Sequence, residues 1–253
     1  MTTERSLVDD DDRPTTDPRV VGVPHSELWF GYEDLVVDWI GKVGAVDVCD
    51  IGGGRNPLLT PERVGELGLN YTVLDISQGE LDLAPPEFDT VCADIAGQRF
   101  DTTDAFDFMF SKYVAEHVRS GELLHRNVLQ ALKPGGVALH YFPTLYCVPF
   151  MVNRIIPETL GSRILDVAAP RDREREEKFP ARYSWTRGPT RRQLERLQSV
   201  GFEVLEYTAG FGHDYYRRIP VLRDVAERWF RMSERNEWYS FSSFAIVVLR
   251  KPL

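Results

Sequence analysis

The residues best suited to chemistry lie where apolar runs end in acids. One run ends in Asp50 and is followed almost at once by three consecutive glycines at 52–54. A glycine turn lets the backbone approach a ligand closely, because no Cβ stands in the way, and the helix that usually follows offers free N–H groups. Asp75 ends the next apolar run about 20 residues on, a spacing that suits hydrogen bonds to ribose hydroxyls. These residues predict a site for a nucleoside-containing cofactor.

The order of the residues in this turn indicates which cofactor it binds. A dinucleotide fingerprint needs a third glycine where this chain has Pro57. The pattern Asp50-x-Gly52-x-Gly54 instead suits a cofactor with a positive amino group and no phosphate. It resembles motif I of the class I S-adenosylmethionine-dependent methyltransferases. The alternative is a glycine turn that binds no ligand.

The resemblance implies contacts with S-adenosylmethionine for a defined set of residues. Asp75 would accept hydrogen bonds from both ribose hydroxyls, or else only cap a helix. Ile76 would pack on the adenine, or else belong to the core. Asp94, at the end of the third strand, would accept from the adenine amino group, or else be a solvated loop acid. The full set is Asp50, Gly52, Gly53, Gly54, Asp75, Ile76, Asp94, Ile95, Ser111 and Lys112, the last two along the methionine end.

The segment after the fourth predicted strand would hold the catalytic residues. In the resembling family, Tyr113 and His117 would lie near the transferred methyl group, while Glu116 orients the loop or caps a helix. Histidine titrates near neutral pH, so His117 is a candidate general base for a hydroxyl acceptor. The rival bases are His140, Tyr141, His213 and Asp214. His140 and Tyr141 point to opposite faces of one strand, so only one can face the pocket.

A long segment after the fifth predicted strand is a candidate wall of the acceptor pocket. Between 171 and 192 it has eight basic and four acidic residues. Arginine binds phosphate or carboxylate, and aromatic rings stack on sugars or flat rings. The predicted acceptor residues are Tyr141, Tyr183, Trp185 and Arg187, and the predicted acceptor is a small molecule, anionic or sugar-containing. The alternatives are a solvated helix over 171–178, a structural lid or a dimer contact.

Alternating strands and helices must position these residues. They predict an α/β fold, and the resemblance implies a doubly wound, mostly parallel sheet of seven strands with the last one antiparallel. We expect an acidic disordered tail over 1–18 and one methyltransferase domain over 19–253, with insertions at 143–189 and 208–243. The predicted strands are Ala45–Cys49, Tyr71–Leu74, Thr90–Ala93, Phe106–Phe110, Gly136–Phe142, Phe202–Tyr207 and Phe244–Arg250. The main predicted helices are Pro24–Lys42, Glu62–Leu67, Val118–Leu132, Thr190–Val200 and Pro220–Arg235.

Composition narrows the function classes. The net charge of −9 argues against a broad nucleic-acid-binding surface. Cys49 and Cys92 lie in apolar runs and are expected to be buried free thiols of a reducing compartment. No apolar run is long enough for a membrane span, so the predicted location is the cytoplasm. The histidines lack zinc-binding spacing, and Ser111-Lys112-Tyr113 and Phe142-Pro143-Thr144 stand where catechol-type relatives bind magnesium, so no metal is predicted.

The predicted function is S-adenosylmethionine-dependent methyl transfer to a small molecule. The preferred acceptor atom is a hydroxyl oxygen of a sugar or sugar conjugate. A weaker resemblance, carried by the segment 54–59 and the proline-rich insertion, is to methyltransferases of bacterial surface-glycan pathways. Transfer to nitrogen or carbon of an amine or quinone-type metabolite is an alternative, as is a cofactor-binding protein without turnover. Pro57 and Asp50 argue against an NAD-dependent oxidoreductase. The oligomeric state is left open.

Overall fold

The described part of the chain forms one mixed sheet covered by helices. The structure is a computed structural model that describes residues 18–145, 180–213 and 220–253. Within these ranges the strands are β1 (Arg19–Pro24), β2 (Asp47–Ile51), β3 (Asn70–Asp75), β4 (Asp89–Cys92), β5 (Phe106–Lys112), β6 (Leu132–Pro143), β7 (Glu203–Phe211) and β8 (Phe244–Arg250). Their order in the sheet is β1-β7-β8-β6-β5-β2-β3-β4.

The pairing of the strands confirms the predicted fold class. β2 pairs in parallel with both β3 and β5, and β8 pairs antiparallel with both β6 and β7. The chain runs outward from β2 through β3 to β4 and then returns to the other side of β2 as β5. The strand order therefore reverses between β2 and β5, and ligands of such sheets bind outside the carboxyl ends of the strands at this point.

Several of the described helices begin at a residue whose hydroxyl caps them. The helices are α1 (His25–Phe30), α2 (Tyr32–Val43), α3 (Pro61–Leu67), α4 (Gln78–Leu81), α5 (Gly121–Ala131), α6 (Arg191–Val200) and α7 (Pro220–Arg235), with a 3₁₀ turn at Tyr239–Phe241. Thr60 and Thr190 accept a hydrogen bond from a backbone N–H in the first turn of α3 and α6, as N-caps do. None of the described helices is long and apolar enough to cross a membrane.

The two faces of the sheet bury separate apolar layers. Phe108 packs in the same layer as Val36 and Ile40 of α2, while the next residue, Met109, packs with Leu124 of α5 on the other face. This alternation follows from the period of two along a strand. Because both faces are covered, the carboxyl ends of the strands are the open edge where a site can form.

Several predicted elements differ from the structure. The sheet has an eighth strand, β1, which the sequence analysis did not predict. The single helix predicted over Pro24–Lys42 is two helices, because Gly31 ends α1 with its N–H bonded to the Glu27 carbonyl. The helix predicted from Val118 starts at Gly121, because the hydroxyl of Ser120 accepts from the N–H of Leu123 and caps it. β7 runs on to Phe211, so the predicted 208–243 insertion begins as strand.

The cysteine prediction was half right. Cys49 is buried as a free thiol, as expected, but Cys92 is exposed because it lies on the edge strand β4. Cys147 and most of the 143–189 segment lie outside the described residues, as does the predicted tail up to residue 17. The predicted domain boundaries therefore remain a prediction.

Candidate active site

The glycine turn packs tightly against the loop that follows β5. Gly52 has φ +79° and donates its N–H to the Leu74 carbonyl at 2.6 Å, and a Cβ there would overlap with Cγ2 of Val114. Gly54 has φ +45°, and a Cβ on it would lie 3.2 Å from Oδ2 of Asp75. Both positions need glycine, for conformation and for space. The turn therefore lies between β3 and the end of β5, as a cofactor cleft requires.

Asp50 is buried beneath this turn. Its Oδ2 accepts hydrogen bonds from the Leu58 N–H and from the Tyr71 hydroxyl, both at 2.8 Å. Burial raises the pKa of Asp50 to about 6, with the nearby charge of Asp75 acting in the same direction. The observed contacts give Asp50 a structural role in holding the returning chain. Its contact with a cofactor amino group remains a prediction.

Asp75 and Ile76 lie beside the same cleft. Oδ1 of Asp75 accepts from the Ser77 N–H at 2.9 Å, while Oδ2 faces Gly54. Burial, and then the charge of Glu80, raise the pKa of Asp75. Ile76 is 54% exposed, so it is not a core residue, and an apolar side chain at the cleft is left available for a flat ring. Ser77, rather than Asp75, caps α4.

The predicted adenine end lies beyond β4. Asp94 is exposed, and its Oδ1 accepts from the Ala96 N–H at 2.9 Å, as in a local turn. Ile95 is buried, and its carbonyl accepts from the side-chain amide of Asn127 at 2.8 Å. The backbone of Ala93 bonds to the Asp75 carbonyl, so this loop is tied to the end of β3. This hydrogen bond keeps Asp94, the next residue after Ala93, near Asp75.

The end of β5 brings Ser111 and Lys112 to the level of the glycine turn. Ser111 is in register with Ile51 of β2, and its hydroxyl forms a 2.8 Å hydrogen bond with Nδ1 of His140. The Tyr32 hydroxyl donates to the Ser111 carbonyl at 2.9 Å. Lys112 points to the other face, where its Nζ lies 4.4 Å from the centre of the Trp29 ring. Burial lowers the pKa of Lys112.

An aromatic cluster continues from Tyr113, the residue after β5. Tyr113 has φ +60° and donates its N–H to the Tyr141 carbonyl at 2.8 Å. Its ring stacks on Trp29 at 5.7 Å and lies 5.0 Å from the Tyr141 ring and 6.0 Å from Phe244. Trp29 is not among the predicted site residues. It is a large aromatic residue in the helix predicted over Pro24–Lys42, and apolar residues at helical spacing indicate packing rather than a ligand site.

The predicted base lies on the same loop. Nε2 of His117 is 3.7 Å from Oε1 of Glu116, and the His117 side chain is 35% exposed. Glu116 is buried, which raises its pKa to about 8. The Glu116 carbonyl accepts the backbone N–H groups of Arg182 and Tyr183 at 2.7 and 3.0 Å. Glu116 therefore anchors the loop to the segment after residue 180, and His117 has solvent access.

The rival bases differ in their surroundings. His140 is fully buried, and burial lowers its pKa to about 3, so its ring is neutral and enclosed. Tyr141 packs with Tyr32 on the opposite face of β6, which confirms the expected alternation. His213 packs edge-on against Phe230. Asp214 lies outside the described residues.

The four predicted acceptor residues lie on different faces of the sheet. Tyr183 and Tyr141 belong to the apolar layer that contains α2, whereas Trp185 packs in the layer of α5. The Trp185 ring stacks on His125 at 5.9 Å, and its carbonyl accepts from the amide of Gln193. The guanidinium of Arg187 donates to the carbonyls of Tyr183 and Thr186. These contacts anchor the turn itself, and an acceptor role for it stays a prediction.

Within residues 18–145, 180–213 and 220–253, no group of three or more histidine, cysteine, aspartate or glutamate side chains is arranged to hold a metal ion.

A comparison with protein families identifies a domain around the glycine turn. Residues 49–140, from β2 to β6, match the family model described as a methyltransferase domain. Among curated proteins, none has a significantly similar sequence.

The solved structures that resemble this chain share its fold at low sequence identity. The [4+2]-cyclase SpnF is 19% identical with a TM-score of 0.54, over 88% of this chain and 80% of that one. Geranyl diphosphate C-methyltransferase from Streptomyces coelicolor, solved with Mg²⁺, geranyl diphosphate and S-adenosyl-L-homocysteine, is 13% identical with a TM-score of 0.54, over 89% and 80%. Phosphoethanolamine N-methyltransferase 2 of Haemonchus contortus, solved with S-adenosyl-L-methionine, is 14% identical with a TM-score of 0.53, over 88% and 53%. The chain therefore spans about half the length of that N-methyltransferase.

The family match and the fold point to the same kind of domain. The matched residues 49–140 contain the glycine turn, Asp75 and the end of β5, and they are similar to a methyltransferase domain. The similar solved structures, at 13–19% identity, share the fold of this chain.

Proposed function

We propose that this methyltransferase transfers the methyl group of S-adenosylmethionine to a hydroxyl oxygen of a small molecule, a sugar or sugar conjugate. The observation that carries the cofactor part is the shared cleft of Gly54 and Asp75 at the point where the strand order reverses. Acceptors of the bacterial surface-glycan type belong in the first screen because of the resemblance at 54–59. The buried free thiol of Cys49 supports a reducing, cytoplasmic environment.

The cofactor would lie across the carboxyl ends of β2, β3 and β5. The backbone of 52–54 would follow the methionine and ribose, Asp75 would accept from both ribose hydroxyls, and Ile76 would cover one face of the adenine. Asp94 and Ile95 would bind its edge. Asp50 would hold the turn from below, and Ser111 and Lys112 would border the methionine end. The exposure of Ile76 and the position of Oδ2 of Asp75 beside Gly54 support these roles.

The protein's main contribution to the chemistry is alignment. Methyl transfer from a sulfonium is an in-line displacement in which the acceptor oxygen attacks the methyl carbon and the sulfur takes the electron pair. Holding donor and acceptor in line contributes several kcal/mol toward lowering the barrier. The acceptor proton must leave, and His117 would take it as general base. Tyr113 would border the methyl group, which is supported by its place in the chain directly before Val114, the residue that lies against Gly52.

The acceptor would approach from the aromatic cluster. Trp29 is 44% exposed and stacks on Tyr113, so a broad apolar face borders the end of β5. Aromatic faces suit sugar rings and other flat surfaces. An anionic acceptor is supported by the positive charge of Lys112, whose Nζ lies 4.4 Å from the centre of the Trp29 ring on the same side.

Transfer to nitrogen or carbon remains the second candidate. The observation that favours it is the pair of similar structures, one of an N-methyltransferase of phosphoethanolamine and one of a C-methyltransferase of geranyl diphosphate. An amine acceptor that is already deprotonated needs no base. The loss of turnover on removing His117 therefore separates a hydroxyl acceptor from such an amine, and mass spectrometry of the product identifies transfer to carbon.

The test begins with cofactor binding. Calorimetry should detect S-adenosylhomocysteine binding at micromolar levels and no binding of NADH. Acceptors are then screened with labelled cofactor, and the products are identified by mass spectrometry. We expect His117→Gln to bind S-adenosylhomocysteine like the wild type while oxygen methylation falls about 10²–10⁴-fold. Full turnover in His117→Gln would exclude it as the base, and tight NADH binding by the wild type would overturn the cofactor.

A further inference from the structure

An ion pair joins the two loops that border the ribose end of the cleft. Nε and Nη2 of Arg55 donate to Oε2 and Oε1 of Glu80, each at 2.5 Å. Arg55 directly follows the glycine turn, and Glu80 lies on α4, just after the loop that carries Asp75. A bidentate arginine–carboxylate pair fixes orientation as well as distance. The pair therefore connects the glycine turn to the ribose loop across 25 residues of sequence.

Two acids and one base meet around Gly54. A Cβ on Gly54 would lie 3.2 Å from Oδ2 of Asp75, 3.2 Å from Cβ of Glu80 and 3.6 Å from Oε2 of Glu80. The two carboxylates repel each other, and Glu80 contributes to the raised pKa of Asp75. Arg55 offsets this, because its hydrogen bonds and charge lower the pKa of Glu80 and neutralise its field.

We propose that Arg55 and Glu80 are positioning residues for cofactor binding. The inference rests on the proposed function, in which Asp75 binds the ribose hydroxyls. The ion pair holds the glycine turn and α4 at the separation that admits the ribose. It also favours the ionised form of Asp75, because a paired Glu80 repels that carboxylate less than an unpaired one. Neither residue takes part in methyl transfer.

The opposing view is that this is an ordinary surface ion pair. Both side chains are partly exposed, and exposed pairs contribute little to stability. The chain offers a control in the pair of Arg63 and Glu66 on α3, separated by 2.9 Å, in which the arginine is as exposed as Arg55 and the glutamate is more exposed than Glu80. Arg63→Gln removes a surface ion pair without touching the cleft. The two views therefore differ in cofactor affinity rather than in melting temperature.

The experiment is a double-mutant cycle read by S-adenosylhomocysteine calorimetry. Arg55→Gln should raise Kd about 10-fold, because it breaks the ion pair and leaves the charge of Glu80 without the guanidinium beside Asp75. Glu80→Gln should raise Kd only about 3-fold, because it breaks the ion pair but also removes the repulsion between the Glu80 and Asp75 carboxylates. The double variant should bind like Glu80→Gln. Arg63→Gln should leave Kd unchanged.

Two further readouts separate an electrostatic effect from a purely structural one. The excess loss in Arg55→Gln should shrink in 1 M salt, because charge repulsion between exposed groups is screened. In the same variant the acidic limb of the affinity profile should move to higher pH, because Asp75 then takes up its proton more readily. Equal Kd in wild type, Arg55→Gln and Glu80→Gln would overturn the inference. A wild type that binds no S-adenosylhomocysteine would instead overturn the proposed function.

Discussion

Asp50→Asn tests the charge buried under the glycine turn. Both hydrogen bonds that Asp50 accepts end on Oδ2, from the Leu58 N–H and the Tyr71 hydroxyl. An asparagine whose carbonyl oxygen takes the place of Oδ2 can keep both bonds while the charge is removed. The substitution therefore isolates the cost of burying an ionised carboxylate from the value of its hydrogen bonds.

The size of the effect follows from the pKa. Burial raises the pKa of Asp50 from 3.8 to about 6 in the folded protein. At 1.36 kcal/mol per pKa unit, this corresponds to about 3 kcal/mol of free energy of unfolding. Because the folded pKa is raised, the favourable contribution is complete below pH 3.8 and is lost as pH rises through about 6. The wild type is thus penalised at pH 8, and the asparagine variant is not.

The assay is denaturant unfolding of both proteins between pH 4.5 and 8. The free energy of unfolding of Asp50→Asn relative to the wild type should rise with pH and level off above about pH 7, at up to about 3 kcal/mol. Other titrating groups are common to both proteins and cancel in the difference. A difference that does not change with pH would refute the claim that burial raises the pKa of Asp50.

The same variant tests the predicted cofactor contact of Asp50. If the carboxylate binds the amino group of the methionine moiety, Asp50→Asn should weaken S-adenosylhomocysteine binding about 10-fold or more, as expected for a lost charge-assisted hydrogen bond. If Asp50 only holds Leu58 and Tyr71, affinity should be unchanged while stability rises at pH 8. Calorimetry at pH 8 decides between the two roles.

Other substitutions address the rest of the cleft. Gly52→Ala should destabilise the fold by about 2 kcal/mol or more, because its Cβ would overlap with Val114; Val114→Ala should restore part of the loss in thermal unfolding, and no rescue would contradict the packing argument. Asp75→Ala should weaken S-adenosylhomocysteine binding by about 1.5–3 kcal/mol per lost bond with the fold intact, whereas an unchanged Kd would reduce Asp75 to a turn residue. Trp185→Ala separates packing from the predicted acceptor role: a lower melting temperature with unchanged acceptor KM would follow from the packing of the ring on α5, and a raised KM with normal melting would support the acceptor role. Relative to the wild type, Glu116→Gln should gain stability as pH rises from about 4.5, and the gain should level off above about pH 8, because burial raises the pKa of Glu116 from 4.5 to about 8; a difference in stability that does not change with pH would contradict the raised pKa.

Local patterns were enough to predict most of the fold. The last strand, Phe244–Arg250, has the predicted bounds, and Thr60 and Thr190 start the helices expected of them. These features depend on short-range chemistry: apolar runs, capping hydroxyls and turn glycines. The eighth strand could not be predicted this way, because β1 is defined only by its parallel pairing with β7, almost the whole chain away.

Strand ends were less predictable than strand cores for the same reason. β2 extends to Ile51 because its neighbours β3 and β5 supply hydrogen-bond partners up to that residue. The exposure of Cys92 was likewise decided by the position of β4 at the edge of the sheet. An apolar run looks the same in the sequence whether its strand pairs with one neighbouring strand at the edge of the sheet or with two in its interior.

The sequence by itself determined the glycine turn and the proposed cofactor cleft beside it, because the turn, Asp50 and Asp75 follow one another within two strand–turn units. Only the tertiary structure decided which residues surround Tyr113 at the end of β5. It brought Trp29 from the N-terminal helix onto Tyr113, and it directed Trp185 toward α5 rather than toward the Tyr113 cluster. The cofactor residues are neighbours along the chain, whereas the residues around an acceptor come from distant elements. Their meeting depends on how helices pack on the sheet, which no local pattern encodes.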